Sequence, residues 1–215
     1  MPSTGPMLSL LLAILIGYLL GSIPVATLVS RRRGVDIFST GTGLAGAANV
    51  YRTVGRFHGT FVLAGDAAKG VLTVFVAQRL GAEGVLALLP AVAALAGHWR
   101  SLFNGFRGGD GVSTLLGITL ASLPVLSLPV IGVGIIMAGF ARVTHRHATI
   151  WGGGSGYGLL LVMAPFFPDR IETILGIWLL ALMVLAHAIV GYRRRRWDPD
   201  FDDIADEAQP ENSTT

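Results

Sequence analysis

The sequence predicts an all-α fold: a polytopic integral membrane protein with seven transmembrane helices, its amino terminus outside and its carboxyl terminus cytoplasmic. Three observations carry that expectation. Of 215 residues, 52% are hydrophobic and only 13% charged, about half the ~25% that wets the surface of a soluble domain. The apolar residues gather in runs near the ~20 residues that a helix needs to cross ~30 Å of hydrocarbon. The arginines, which supply 15 of the 16 basic residues, fall between those runs rather than inside them. This composition excludes a disordered chain, a collagen-like chain and a nucleic-acid module as the main architecture. The absence of cysteine excludes disulfides and thiolate metal sites.

Seven spans follow in order: 8–29, 60–79, 83–99, 111–123, 125–141, 148–166 and 171–191. The first is not a signal peptide by inspection, because no base precedes Arg31, its apolar run is long, and Arg31-Arg32-Arg33 follows as a stop. The stretch 111–141 is too long for one crossing, and Pro124 with Pro129 predicts a break there. One long kinked helix is the competing reading and gives six spans. The arginines favour the break. With seven spans, Arg31, Arg32, Arg33, Arg52, Arg56, Arg100, Arg107, Arg142, Arg146 and Arg193 to Arg196 share one face, and only Arg79 and Arg170 lie on the other. The positive-inside rule makes the richer face cytoplasmic. Residues 1–196 thus form the membrane domain. The tail 197–215 holds seven of the 13 acidic residues and no base, which predicts a solvated, disordered cytoplasmic extension.

Two connectors on the arginine face carry chemistry. The first contains Gly41-Thr42-Gly43-Leu44-Ala45-Gly46-Ala47-Ala48-Asn49-Val50-Tyr51-Arg52. Closely spaced glycines let backbone N–H groups converge on an anion, with hydroxyl, amide and guanidinium as further donors. The second runs from Gly97-His98-Trp99-Arg100-Ser101 through Gly105-Phe106-Arg107 to Gly108-Gly109-Asp110-Gly111 and opens the next expected helix, where backbone amides favour phosphate. Neither fits a Walker or dinucleotide pattern. Together they predict a site for an anionic substrate.

Asp66 and Lys69 share a helix face inside the second span. They are read either as part of a polar site or as a structural ion pair snorkelling to the interface. His187, near the end of the last span, reads as an interface residue or a catalytic one. His145 and His147 lack a third ligand and read as interface residues rather than a metal fragment. The run Gly152-Gly153-Gly154-Ser155-Gly156 reads as tight helix packing. The Asn212-Ser213-Thr214 sequon is irrelevant on a cytoplasmic tail.

The ordered set of Gly21-Ser22-Ile23-Pro24, the first glycine loop, Asp66-x-x-Lys69-Gly70, Gly97-His98 and Gly108-Gly109-x-Gly111 resembles the PlsY family of acyl-phosphate-dependent glycerol-3-phosphate acyltransferases. The resemblance implies seven spans, an outside amino terminus and cytoplasmic motifs in the bacterial inner membrane. It implies acyl transfer from acyl phosphate to glycerol 3-phosphate, giving lysophosphatidic acid for phospholipid biosynthesis, with no cofactor or metal. The implied partners are those two substrates, membrane lipid and an acyl-phosphate-forming enzyme, but not nucleic acid. By motif position, Thr42 stands at a phosphate-binding serine, Asn49 and Arg52 keep an asparagine and an arginine, and His187 matches a catalytic histidine. The family's active-site serine aligns with His145, or with Thr144 if the register slips by one. Substrate binding is expected from Gly41, Thr42, Gly43, Gly46, Asn49, Arg52, Lys69, His98, Arg107, Gly108, Gly109, Gly111 and Arg142.

Several positions depart from the family pattern. Leu44 replaces an asparagine, Ala48 a threonine, Ser101 a proline, Val190 an asparagine, and Asp110 the lysine of Gly-Gly-Lys-Gly. The last exchange puts an anion beside an expected phosphate. Two other functions are therefore carried alongside the enzyme: an impaired or regulatory homologue, and a small-solute transporter.

Overall fold

The structure is a computed structural model that describes residues 4–143 and 148–195. Thr144 and His145, two of the expected catalytic residues, lie outside the described residues, as do His147 and the acidic tail. All regular structure among the described residues is helical. The helices are α1 (Thr4–Ser22), α2 (Val25–Arg31), α3 (Ala47–Thr53), α4 (Arg56–Arg79), α5 (Leu88–Trp99), α6 (Val112–Ser122), α7 (Pro124–Val143), α8 (Ala148–Met163) and α9 (Ile171–Arg195).

Among the described residues, five stretches are long and apolar enough to cross a bilayer: Gly5–Arg31, Arg56–Arg79, Gly84–Asn104, Pro124–Ala141 and Pro168–Gly191. The other two expected spans are shorter. The 11 residues of α6 rise only about 16 Å, and the 16 residues of α8 about 24 Å.

Two breaks shape the bundle. The first expected span is not one helix, because it opens at Ile23-Pro24 before resuming as α2. Pro24 has no N–H to continue the ladder. The second break falls where the prolines place it. Leu123 leaves the helical region at φ −136° and ψ 64°, and Pro124 then opens α7, a position where its missing N–H costs nothing. Pro129, by contrast, is accommodated inside α7.

Small residues bring the helices close. A Cβ on Gly21 would strike the Ala94 carbonyl of α5, and one on Gly117 the Ala67 carbonyl of α4. The run at 152–156 has two functions. Gly152 and Gly156 face α7, where added Cβ atoms would lie 2.7 Å from the Gly134 oxygen and 2.6 Å from the Val130 oxygen. Gly153 and Gly154 face open space. The core joins Leu95, Leu115, Ile118, Leu160, Ile174, Ile177 and Leu180. The exterior remains apolar, with Leu11, Leu15, Leu128, Ile135, Ile136 and Val162 exposed.

Candidate active site

The site is built on the first helix break. Ending α1 early leaves carbonyls without helical partners inside the bundle, where an unsatisfied polar group costs several kcal/mol. Three consecutive carbonyls take side-chain donors from elsewhere, Ile23 O in addition to the Val25 N–H at 3.0 Å. Lys69 Nζ donates to the oxygens of Gly21 at 3.2 Å and Ile23 at 3.0 Å, and Ser101 Oγ donates to Ser22 O at 2.5 Å. Lys69 also pairs with Asp66 Oδ1 at 2.8 Å and meets His98 Nδ1 at 3.3 Å. Asp66 and Lys69 are 1% and 4% exposed, so this pair faces inward and does not snorkel. The ammonium group is thus surrounded by partners within the protein.

The first glycine loop wraps around one side chain. Asn49 Nδ2 donates to the carbonyls of Ile37 at 3.1 Å, Thr40 at 3.0 Å and Leu44 at 3.0 Å, while its Oδ1 accepts the Thr42 N–H at 3.1 Å. Asn49 therefore folds the loop rather than facing outward. Gly41 must be glycine here: its φ is +61°, and a Cβ would strike Asn49 Oδ1. Leu44 enters the network through its carbonyl. Arg52 is exposed on α3, its Nε donating to Ala48 O at 3.2 Å. Thr42, Gly43 and Gly46 line the same turn.

The second loop closes on the first. Ala45 N–H donates to Gly108 O at 3.2 Å and Gly109 N–H to His98 O at 3.2 Å. A Cβ on Gly109 would lie 2.5 Å from both Ala45 O and His98 Nε2, so the glycine permits the junction. The Arg107 guanidinium stacks 4.3 Å from the Phe38 ring of the first loop. Asp110, the residue that replaces the family lysine, has a local part: Oδ1 accepts the Val112 N–H at 3.2 Å, an Asx turn at the amino terminus of α6. That end of a helix favours negative charge.

His187 reaches this assembly from α9. Its ring lies parallel to that of Trp99, 4.6 Å between centroids and 12° apart, and Trp99 Nε1 donates to Asp110 O at 2.8 Å. The structure thus unites both glycine loops, His98, Lys69 and His187 at one end of the bundle. A small, partly open pocket with room for little more than one water is lined by Ile23, Ala45, Asp66, Lys69, His98 and Gly108 among others. A second cavity, about 260 Å³ and mostly apolar in its lining, runs between α6, α8 and α9 from Val112 and Ala188 to Leu161 and Trp178. Arg142 falls in α7, but its side chain is outside the described residues. Sequence reasoning missed Trp99 as part of the site and Ser101 as a donor. The aromatic beside His98 was the available signal for the first; for the second there was none.

The glycerol-3-phosphate acyltransferase family matches residues 11–196 of this chain. The chain belongs to that family. Among its relatives, the glycerol-3-phosphate acyltransferase of Rubrobacter xylanophilus is 37% identical over 165 residues, covering 77% of this chain and 82% of the relative. That of Geobacter sulfurreducens is 45% identical over 118 residues, covering 55% of this chain and 61% of the relative. The match therefore spans less than two thirds of the Geobacter protein's length. The crystal structure of PlsY, an integral membrane glycerol 3-phosphate acyltransferase, in its glycerol 3-phosphate form superposes with a TM-score of 0.70 at 26% identity, covering 94% of each chain. Its lysophosphatidic acid form shares the fold, with a TM-score of 0.65. Family membership favours neither the transporter nor the impaired homologue.

Proposed function

We propose that this chain is a multi-pass enzyme of the bacterial inner membrane that transfers an acyl group from acyl phosphate to glycerol 3-phosphate, forming lysophosphatidic acid. It crosses the bilayer seven times, α6 and α8 being short crossings, with the amino terminus outside and the site on the cytoplasmic side. The observation that carries this reading is adjacency. The two glycine loops are bonded to each other at the amino terminus of α6 and beside His187, and the apolar cavity begins at Val112, the residue after Gly111.

That arrangement suits a substrate with a phosphate head and a hydrocarbon tail. The glycine-loop amides, Thr42, Arg52, Arg107 and Arg142 neutralise phosphate, and the α6–α8–α9 cavity takes the acyl chain from the membrane. The 1-hydroxyl oxygen of glycerol 3-phosphate attacks the acyl carbonyl carbon. The bond from that carbon to the phosphate oxygen breaks, inorganic phosphate leaves, and the hydroxyl proton passes to His187 or to the departing phosphate. Acyl phosphate is already an activated anhydride, so positioning and charge neutralisation supply much of the acceleration. Thr144 and His145 are the remaining candidates for groups at the reacting centre. An acyl-phosphate-forming enzyme must supply the donor.

The test uses purified protein in detergent with labelled glycerol 3-phosphate, first with acyl phosphate and then with acyl-CoA. Labelled lysophosphatidic acid from acyl phosphate is the expected result. No product from either donor refutes the proposal.

A further inference from the structure

We infer that Trp99 is a positioning residue, which sets the imidazole of His187 against the Gly108–Gly111 loop through its ring face and its indole N–H. The inference rests on the acyltransferase reading above and adds to it a group that the motif resemblance does not assign.

Trp99 closes the last turn of α5 and touches two other elements with different parts of one rigid side chain. Its face covers the His187 ring at 4.6 Å with only 12° between planes, which confines the tilt of the imidazole about its Cβ–Cγ bond. Its edge donates to Asp110 O at 2.8 Å, so the indole cannot swing without losing a hydrogen bond in the bundle. Gly111 makes room for this, since a Cβ there would lie 2.7 Å from Trp99 Nε1. Trp99 packs, half-buried, against the core that α5, α6 and α9 share. His187 sits on α9, whereas the loop belongs to the turn between α5 and α6. No peptide linkage near the site fixes the distance between them. The indole spans that gap and transmits the position of the loop to the imidazole plane.

The two contacts separate chemically. Trp99→Phe retains an aromatic face and loses the N–H donor, whereas Trp99→Leu loses both. In acyl-phosphate-dependent turnover, Trp99→Phe is expected to lower kcat about three- to tenfold, the factor that one neutral hydrogen bond supplies. Trp99→Leu is expected to lower kcat on the order of 100-fold, as for a reacting group displaced by about 1 Å. KM for glycerol 3-phosphate should stay within about twofold in both variants, because Trp99 bonds the loop through a carbonyl and neither change removes an amide assigned above to phosphate. In a His187→Ala background Trp99→Leu should cause no further loss, since there is no imidazole left to place. The proton resonances of the His187 ring, shifted by the indole ring current in the wild type, should shift back in Trp99→Leu and only in part in Trp99→Phe.

The inference is overturned if Trp99→Leu turns over like the wild type, if its loss persists undiminished in the His187→Ala background, or if KM rises in place of a fall in kcat. Should Trp99→Leu fail to fold, Trp99→Phe alone decides through its kcat and its ring resonances. A wild-type chain without acyltransfer removes the acyltransferase reading and this inference together, whereas an active wild type with an indifferent Trp99 removes only this inference.

Discussion

Replacing Gly158 by leucine places a branched four-carbon group in the apolar cavity between α6, α8 and α9. Gly158 lines that cavity, and a Cβ there meets no atom within 4 Å, so the new side chain enters open space rather than a helix contact. The lining from Gly153 to Leu161 rises about 12 Å along α8, with Gly158 towards the end remote from the glycine loops. On the proposed reading the leucine fills the space that the tail of a long acyl chain would take. Displacing four methylenes into water would cost about 3 kcal/mol at roughly 0.8 kcal/mol each. The displaced carbons enter lipid instead, where no hydrophobic difference remains. What remains is lost packing and crowding, about 1–2 kcal/mol, or roughly a 5- to 30-fold fall in kcat/KM for long donors. Short donors should be unaffected. The assay compares acyl phosphates of graded length at fixed glycerol 3-phosphate, with thermal unfolding in detergent as the control for folding. Stability should hold or rise, because glycine is a poor helix former. Gly156→Leu, whose Cβ would meet the Val130 oxygen at 2.6 Å, should instead unfold the protein. An unchanged chain-length profile in a folded Gly158→Leu enzyme would refute the assignment of the cavity to the acyl chain.

Three further outcomes follow from the site. Asn49→Ala strips the first loop of the side chain that bonds three carbonyls and one amide. It should cost about 3 kcal/mol, as several buried polar groups lose partners, and raise KM for glycerol 3-phosphate; a wild-type Tm and KM would show that the loop holds itself. Lys69→Met leaves Asp66 buried and uncompensated, a loss of roughly 3–5 kcal/mol to be read by thermal unfolding. Adding Asp66→Asn should recover only part, because the Gly21 carbonyl loses its Lys69 donor while Ile23 O keeps only the Val25 N–H, and full recovery would exclude the helix-break role of Lys69. Asp110→Asn keeps the Asx turn and removes the charge, so stability should stay within about 0.5 kcal/mol and KM for glycerol 3-phosphate should fall. Asp110→Ala should lose about 1 kcal/mol. Equal destabilisation by both changes would argue against the Asx-turn part of Asp110.

The features legible in the sequence were those that composition and covalent geometry dictate. Arginine placement grouped the 30–59 and 100–110 connectors on one face, and the Ala45–Gly108 hydrogen bond brings them together. Proline marked the break before α7. The break after Ser22 was hidden inside an unbroken apolar run, because the consequence of Pro24 depends on donors 45 and 77 positions further along the chain, at Lys69 and Ser101. Periodicity reports which face of a helix is apolar but not which neighbour that face meets. The 152–156 glycines could therefore be read as packing, yet not divided between α7 and a cavity. The Asp66–Lys69 pair stayed ambiguous for a related reason. Its spacing says that the two residues touch each other, and only the fold says what else the ammonium must satisfy. Trp99 escaped because stacking is a relation between α5 and α9 that no local pattern encodes.

The early end of α1 also bears on how the chain is made. Its bared carbonyls at Gly21 and Ser22 find their side-chain donors only after α4 and the stretch beyond α5 have been synthesised and delivered to the bilayer. Until then the first segment is an incomplete piece, exposed to the quality-control proteases that survey nascent membrane proteins. A ribosome-bound chain halted before Ser101 has left the ribosome should consequently be short-lived, and one halted after Ser101 has reached the bilayer should survive.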